Sequence, residues 1–171
     1  MQVNIRRIRD AKGASLTARG EMNLNPVLGQ GLRADGPAAV EATVTNAGRF
    51  LHAEGRVRVQ LRGECVRCLM PVNFVLTTPF TEDYFPEGRP LPAEETEAEF
   101  GVYAGDVVDL APAVTEAVLL ALPMRLLCRE DCPGLCPACG HNLAEGRCAC
   151  RPEGGGRGLE GLARFLPKKE V

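Results

Sequence analysis

Apolar and polar residues alternate through the first half of the chain as they do in half-buried β-strands. The clearest alternation is at 56–62, where one face is apolar and the other is polar. Further strands are predicted at 40–45 and 72–78, with a hairpin turn at 46–49. The apolar face of 56–62 consists of Val57, Val59 and Leu61. Because no helical pattern separates these runs, we expect an antiparallel sheet or a small open barrel.

The spacing of the apolar residues changes to that of a helix near residue 110. Asp109 is predicted to be the N-cap, Pro112 is tolerated in the first turn, and Pro123 ends the run, which gives a helix at about 110–122. The apolar face of this helix consists of Leu110, Val114, Ala117, Val118 and Ala121. We expect this helix to lie across the sheet, so the predicted fold class is α+β.

Between the sheet and the helix, residues 86–105 are rich in proline and acidic residues, and we expect them to form a solvated, mobile loop. The wider stretch 82–109 contains nine acids and one base, Arg89. Such a stretch repels RNA, but it offers an acidic surface to a basic protein.

Six of the eight cysteines lie within 125–150, where the composition changes abruptly. All eight fall into short segments, CVRC, CREDC, CPAC and CAC. Zinc prefers four soft ligands at tetrahedral corners, and two thiolates a few residues apart supply half of that set. In CPACG the backbone turns tightly, and Gly140 allows the positive φ that such a turn needs. The spacing therefore predicts eight zinc ligands: Cys65, Cys68, Cys128, Cys132, Cys136, Cys139, Cys148 and Cys150.

Eight thiolates are enough for two closed sites, so we expect two zinc ions. The last four cysteines, from Cys136 onward, lie close enough in sequence to form one site. The first four would then tie the sheet to the segment after the helix and add directly to the free energy of folding. The predicted organisation is a β-rich domain at 1–124 and a cysteine-rich zinc module at 125–171, with a glycine joint at 154–156 and an amphipathic tail at 159–166. With eight thiolates present, His52 and His141 are not expected to be ligands.

Other uses of paired cysteines fit the sequence less well. A redox C-x-x-C of the thioredoxin type opens a helix, whereas Cys68 is followed at 69–72 by residues that predict a turn and a strand. Disulfides need an oxidising compartment, and the N-terminus shows no secretory signal. An iron–sulfur cluster also uses four thiolates, so iron stays an alternative to zinc. All-cysteine sites leave no open position and no catalytic motif is visible, so we expect neither an enzyme nor a small-molecule substrate.

Charge and hydropathy restrict the partners and the location of the protein. The formal net charge of −2 argues against nucleic-acid binding through overall charge, but not against a local basic patch. Arg56, Arg58 and Arg62 share the polar face of one predicted strand and are candidate RNA contacts, although a solvated polar face explains them equally well. The longest apolar stretch, 117–124, is too short to span a bilayer, so we expect a cytoplasmic protein without a membrane partner.

The string LLALPMRLLCREDCPGLCPACGHNLAEGRCAC at 119–150 resembles the C-terminal signature of the bacterial YceD family, the large ribosomal RNA subunit accumulation proteins. GECVRCLMPV at 63–72 is similar to that family's C-x-R-C-L segment, and DVVDLAPAV at 106–114 is similar to its helix entry. One departure is Ala144, where the family pattern commonly has N-L-N.

The resemblance implies a cytoplasmic factor that supports accumulation of large-subunit ribosomal RNA and ribosome assembly. Its partner would be ribosomal RNA or a large-subunit ribosomal protein. The alternative function is a zinc-stabilised protein–protein interaction module without direct RNA contact.

Overall fold

The computed structural model describes residues 1–29, 31–88 and 100–150. The elements in these ranges are β1 (Gln2–Asn4), β2 (Ser15–Met22), β3 (Arg33–Ala34), β4 (Ala38–Asn46), β5 (Leu51–Glu64), β6 (Pro71–Pro86), β7 (Gly101–Tyr103), β8 (Val107–Asp109) and α1 (Ala111–Ala121). The main sheet has the order β2-β4-β5-β6-β7, with β3 also paired to β5, and β1 pairs with β8 in a small second sheet. The main sheet is open, so the predicted sheet is confirmed and a closed barrel is not formed.

The hairpin of β4 and β5 is the centre of the main sheet and follows the predicted alternation. Val57, Val59 and Leu61 are buried, and the residues between them are exposed. The turn is stabilised by the buried Asn46, whose Nδ2 donates to the backbone oxygens of Ile8 and Arg9 at 2.7 Å. Its Oδ1 accepts the N–H of Gly48, also at 2.7 Å. One polar side chain therefore fixes both the predicted turn and the segment that follows β1.

β6 is longer than the predicted strand, and β7 runs parallel to its last residues. The expected loop at 86–105 is therefore wrong at its C-terminal end, while 89–99 lie outside the described residues. Aromatic packing supports the end of β6, because the ring of Phe85 lies 5.5 Å from that of Phe50 and 5.3 Å from that of Phe100, between centroids. Gly101 gives the adjacent ring of Tyr84 its space, since any Cβ at Gly101 would overlap that ring.

Helix α1 packs on the sheet as predicted, but Asp109 is not its N-cap. Asp109 is the last residue of β8, where it pairs with Gln2, so the helix begins later and Leu110 occupies the cap position without a side-chain bond. The carboxylate of Asp109 still accepts the N–H of Ala111 at 3.0 Å, and this bond lowers the pKa of the carboxyl group. The helix buries its apolar side against the sheet, mainly through Val114 and Val118.

The glycine joint at 154–156 and the amphipathic tail at 159–166 lie outside the described residues, and the domain boundary at 124 stays a prediction. Within the described ranges, no helix has the length and apolar character needed to cross a membrane.

Candidate metal centres

The structure brings the eight cysteines together in two tetrads, divided as their spacing predicts. The first tetrad consists of Cys65, Cys68, Cys128 and Cys132. The second tetrad consists of Cys136, Cys139, Cys148 and Cys150. Within each tetrad, all four Sγ atoms lie within 4.8 Å of one another.

Distances between sulfur atoms show what the first tetrad is able to hold. The Sγ atoms of Cys65 and Cys132 are 3.7 Å apart, and those of Cys68 and Cys128 are 3.6 Å apart. A disulfide would need about 2.05 Å, and all eight cysteines are free thiols. Four sulfurs placed ~2.3 Å from a central ion at tetrahedral angles lie ~3.8 Å from one another. The first tetrad therefore has the size of a four-thiolate metal site.

The first tetrad is part of a small second core. Cys65 comes directly after β5 and Cys68 lies shortly before β6, whereas the other two cysteines follow α1. Three of the four are buried, and Val72, Leu127 and Leu135 pack against them. The backbone N–H of Val66 donates to the carbonyl of Leu126 at 2.9 Å, and Arg67 Nη1 donates to the carbonyl of Cys132 at 2.8 Å. This tetrad therefore joins the end of the sheet to the chain beyond the helix.

The second tetrad is local and more exposed. Cys136 is buried, Cys148 is half-buried, and the other two are exposed. The N–H of Cys136 donates to the carbonyl of His141 at 2.8 Å, and the N–H of Leu143 donates to the carbonyl of Gly134 at 3.0 Å. His141 thus contributes its backbone, and neither histidine belongs to a tetrad.

The two C-x-x-C turns have the same backbone conformation. In the first, the N–H of Leu69 donates to the carbonyl of Cys65 at 2.9 Å, and in the second the N–H of Gly140 donates to the carbonyl of Cys136 at 2.8 Å. The residue after each pair has a positive φ, 60° for Leu69 and 71° for Gly140. Glycine is the expected residue there, and Leu69 is the single non-glycine residue with positive φ in the described chain. Its side chain is 59% exposed.

Backbone amides and neighbouring thiols shift the pKa values of the first tetrad's thiols in opposite directions. Burial would raise the pKa of the Cys65 thiol, but N–H groups of Cys68, Cys128 and Arg67 more than offset it and lower this pKa to about 6. The pKa of Cys128 is raised to about 12, chiefly because Cys132 lies beside it. Without a cation, the tetrad thus favours one thiolate, and repulsion between thiolates opposes further ionisation. A metal ion at its centre would offset the repulsion between the thiolates.

The second tetrad has the same asymmetry. The N–H groups of Cys139 and Ala138 lower the pKa of Cys136 to about 6. The neighbouring Cys139 raises the pKa of Cys150 to about 12. Amides that point at a ligand sulfur also stabilise a four-thiolate metal site, which carries excess negative charge.

Sequence comparison gives a family. The profile of the family described as large ribosomal RNA subunit accumulation protein YceD matches residues 53–166. The chain belongs to the YceD family. Both cysteine tetrads lie inside the part of the chain that matches the YceD profile. The resemblance predicted from the sequence is thereby confirmed.

Individual relatives of this YceD chain are similar over part of their length. Uncharacterized proteins of Mycobacterium tuberculosis (strain H37Rv) and Mycobacterium bovis are each 41% identical over 91 residues, which cover 53% of this chain and 44% of theirs. An uncharacterized protein of Mycobacterium leprae is 31% identical over 108 residues, 63% of this chain and 49% of its own. The chain thus spans about half the length of these relatives. No solved structure matches it.

The candidate RNA contacts of this YceD chain lie on the sheet. Arg56, Arg58 and Arg62 are exposed on β5, on the face opposite its buried residues, as predicted. The sequence did not single out Arg33, which lies directly opposite Arg62 on β3. No periodic pattern marks this residue, because β3 is only two residues long. Strand register is what brings the two arginines together.

Proposed function

We propose that this chain is a non-enzymatic, zinc-binding factor that supports accumulation of large-subunit ribosomal RNA and ribosome assembly. The observation that carries the proposal is the presence of two four-cysteine tetrads inside the region that matches the YceD family. The link to ribosomal RNA comes from the family description, and the tetrads provide the physical basis for a metal-stabilised fold. We infer that the protein acts in the cytoplasm, where reducing conditions keep thiols available for metal.

Zinc is the metal that this donor set favours. Each tetrad offers four thiolates and no carboxylate or imidazole, which is the typical ligand set of a structural zinc site. The burial of the first tetrad beside Val72, Leu127 and Leu135 supports a role in folding. Iron bound by four thiolates is the alternative, and it differs from zinc in its visible absorbance.

A role in catalysis is not expected of either tetrad. A catalytic zinc keeps one position open for water or substrate, whereas four cysteines fill the coordination sphere. We therefore assign the metals to structure, and we assign the contact with a ribosomal partner to the protein surface.

The proposed RNA contact is the exposed face of β5 that carries Arg56, Arg58 and Arg62. Guanidinium groups bind phosphates through paired N–H donors, so this face suits the RNA backbone and not a particular base sequence. The second candidate function is a protein–protein interaction module. The acidic composition of 82–109 favours it, because a run of acids in the sequence would attract a basic ribosomal protein.

The test is complementation of cells that lack this chain. We expect their ratio of large-subunit to small-subunit ribosomal RNA to fall, and the parental gene to restore it. Cys65→Ser/Cys68→Ser should fail to restore it, whereas the conservative surface change Arg19→Lys should succeed. An unchanged RNA ratio in cells without the chain would contradict the proposed function.

If RNA contact is direct, the triple variant Arg56→Gln/Arg58→Gln/Arg62→Gln should fold normally yet complement poorly. Full complementation by this variant would favour the protein-interaction module.

A further inference from the structure

Arg33 and Arg62 form a cross-strand pair of like charges. They are register partners in the antiparallel pairing of β3 with β5, and both are exposed. Residues directly opposite on neighbouring strands have Cβ atoms about 4.5–5.5 Å apart, and like charges there are destabilising. Strand register therefore places two like charges at directly opposed positions, an arrangement that disfavours the free protein.

The short strand that carries Arg33 is held in place by a dedicated side chain. Asn25 Oδ1 accepts the N–H of Ala34 at 2.8 Å, and Asn25 Nδ2 donates to the carbonyl of Ala34 at 3.3 Å. The N–H of Asp35 donates to the carbonyl of Gln60 at 2.8 Å. A two-residue strand would otherwise fray easily, so these bonds keep Arg33 opposite Arg62.

No acid within the described residues forms an ion pair with either arginine. Asp35 and Glu64 are the acids nearest to the pair along the two strands, yet neither forms an ion pair with Arg33 or Arg62. On the same face, Arg19 does form an ion pair with Glu41. An arginine on this face of the sheet can therefore have an acidic partner, and Arg33 and Arg62 differ from Arg19 in having none among the described residues.

The neighbouring side chains extend the pair into a basic row. Arg58 lies on the same face of β5, and it also has no ion-pair partner in the described ranges. The residues opposite this part of β5 on β6 carry no charge: they are Asn73, Val75 and Thr77. The row thus presents three guanidinium groups with no acid on the β6 side.

We propose that Arg33, Arg62 and Arg58 form a binding site for the phosphodiester backbone of RNA, centred on the Arg33–Arg62 pair. The proposal rests on the proposed function and adds to it the residue Arg33 and the chemical group that is bound. Two adjacent guanidinium forks surround a phosphate with charge-assisted donors, and the phosphate removes the repulsion between them. Arg56 contributes less, because its neighbour on β4 is Glu41.

The proposal predicts opposite effects on stability and on RNA affinity. Arg33→Gln and Arg62→Gln should each raise the melting temperature at low salt, by about 1–3 °C, because each removes the like-charge contact. Each should also weaken binding of a fluorescently labelled single-stranded RNA of mixed sequence, roughly three- to tenfold, and reduce the salt slope of log affinity by about 0.7. The double variant should gain little further stability. The matched control Arg19→Gln should leave RNA affinity unchanged and should not raise the melting temperature.

Several results would overturn this site. If the parent binds the RNA and Arg33→Gln binds it equally well, the site is wrong while the proposed function stands. If the parent does not bind RNA at all, both the site and direct RNA contact fail. Equal affinity of the parent for polyglutamate of matched charge would show that the row recognises acidic protein and not phosphodiester. A lower melting temperature in Arg33→Gln would show that the pair is not a repulsive one.

Discussion

The Sγ atoms of Cys68 and Cys128 lie 3.6 Å apart although 60 positions separate them in the sequence. The contact joins the turn before β6 to the segment after α1, so the first tetrad closes a long loop across the fold. The second tetrad closes only the short segment 136–150. A metal ion in each would therefore contribute differently to global stability, because the entropy of loop closure grows with loop length.

The first prediction compares the two tetrads by thermal unfolding. Cys65→Ser/Cys68→Ser should lower the free energy of unfolding by several kcal/mol, on the order of 5, because it removes a metal that links distant segments. Cys148→Ser/Cys150→Ser is the matched control, with the same chemistry in a local site, and it should lower the free energy of unfolding much less. An equal loss of free energy of unfolding in the two variants would mean that the two tetrads contribute equally to global stability.

The central elements of the fold could be predicted because their residues carry their own signal. Val57, Val59 and Leu61 alternate with polar residues, and the structure buries them as that pattern requires. β7 could not be predicted, because its three residues form a strand by pairing with the end of β6, at Tyr84, Phe85 and Pro86. Asp109 has the side chain of an N-cap, yet pairing with Gln2 draws it into β8.

The second prediction concerns the strained turn of the first tetrad. Leu69 has the left-handed conformation that Gly140 has in the second turn, and a side chain there costs about 1–2 kcal/mol. Because Leu69 is 59% exposed, its removal sacrifices little packing. Leu69→Gly should therefore raise the free energy of unfolding, by about 0.5–1 kcal/mol after the entropy of glycine is counted. Denaturant titration measures it.

The control is the reverse kind of substitution in the second turn, Gly140→Ala, which should lower the free energy of unfolding by about 1 kcal/mol. If both variants shift the denaturation midpoint in the same direction, the two turns do not share the backbone conformation described above.

The third prediction concerns the packing of β5 against the segment that leads to the first tetrad. A Cβ on Gly63 would lie 2.6 Å from Cδ2 of Leu126 and 2.9 Å from the backbone oxygen of Gly31. Gly63→Ala should therefore lower the free energy of unfolding by about 1–3 kcal/mol. Gly29→Ala is the control, because a Cβ at Gly29 meets nothing within 4 Å. A neutral Gly63→Ala variant would contradict this packing.

The site was predictable where sequence spacing sets it and not where register sets it. Each C-x-x-C turn places two sulfurs together locally. The two cysteines that complete each tetrad are the next pair along the chain. Arg33 escapes prediction, since only the pairing of β3 with β5 brings it opposite Arg62. Leu69 gives no signal either, because leucine is not the residue expected at positive φ.

The fourth prediction concerns the protons released when metal enters the first tetrad. The pKa of Cys65 is about 6, so this thiol is largely ionised at pH 7, whereas the pKa of Cys128 is about 12. The N–H of Met70 lowers the pKa of Cys68, but burial and the neighbours Cys65 and Cys132 outweigh it, so this pKa is raised as well. Zinc binds thiolates, so its entry should release at least two protons from this tetrad, and zinc affinity should fall as the pH falls. Calorimetric titration of metal-free protein, in buffers of different ionisation enthalpy, counts these protons. An affinity independent of pH between about 6 and 8 would contradict thiolate ligation.

The central claim is that both tetrads bind structural zinc, and the most direct test is the metal content of the intact protein. Native mass spectrometry of protein purified under reducing conditions, without chelators, should show two zinc ions per chain. Cys148→Ser/Cys150→Ser should retain one of them. Protein that is folded and stable without metal, or that carries disulfides or iron in place of zinc, would contradict the account.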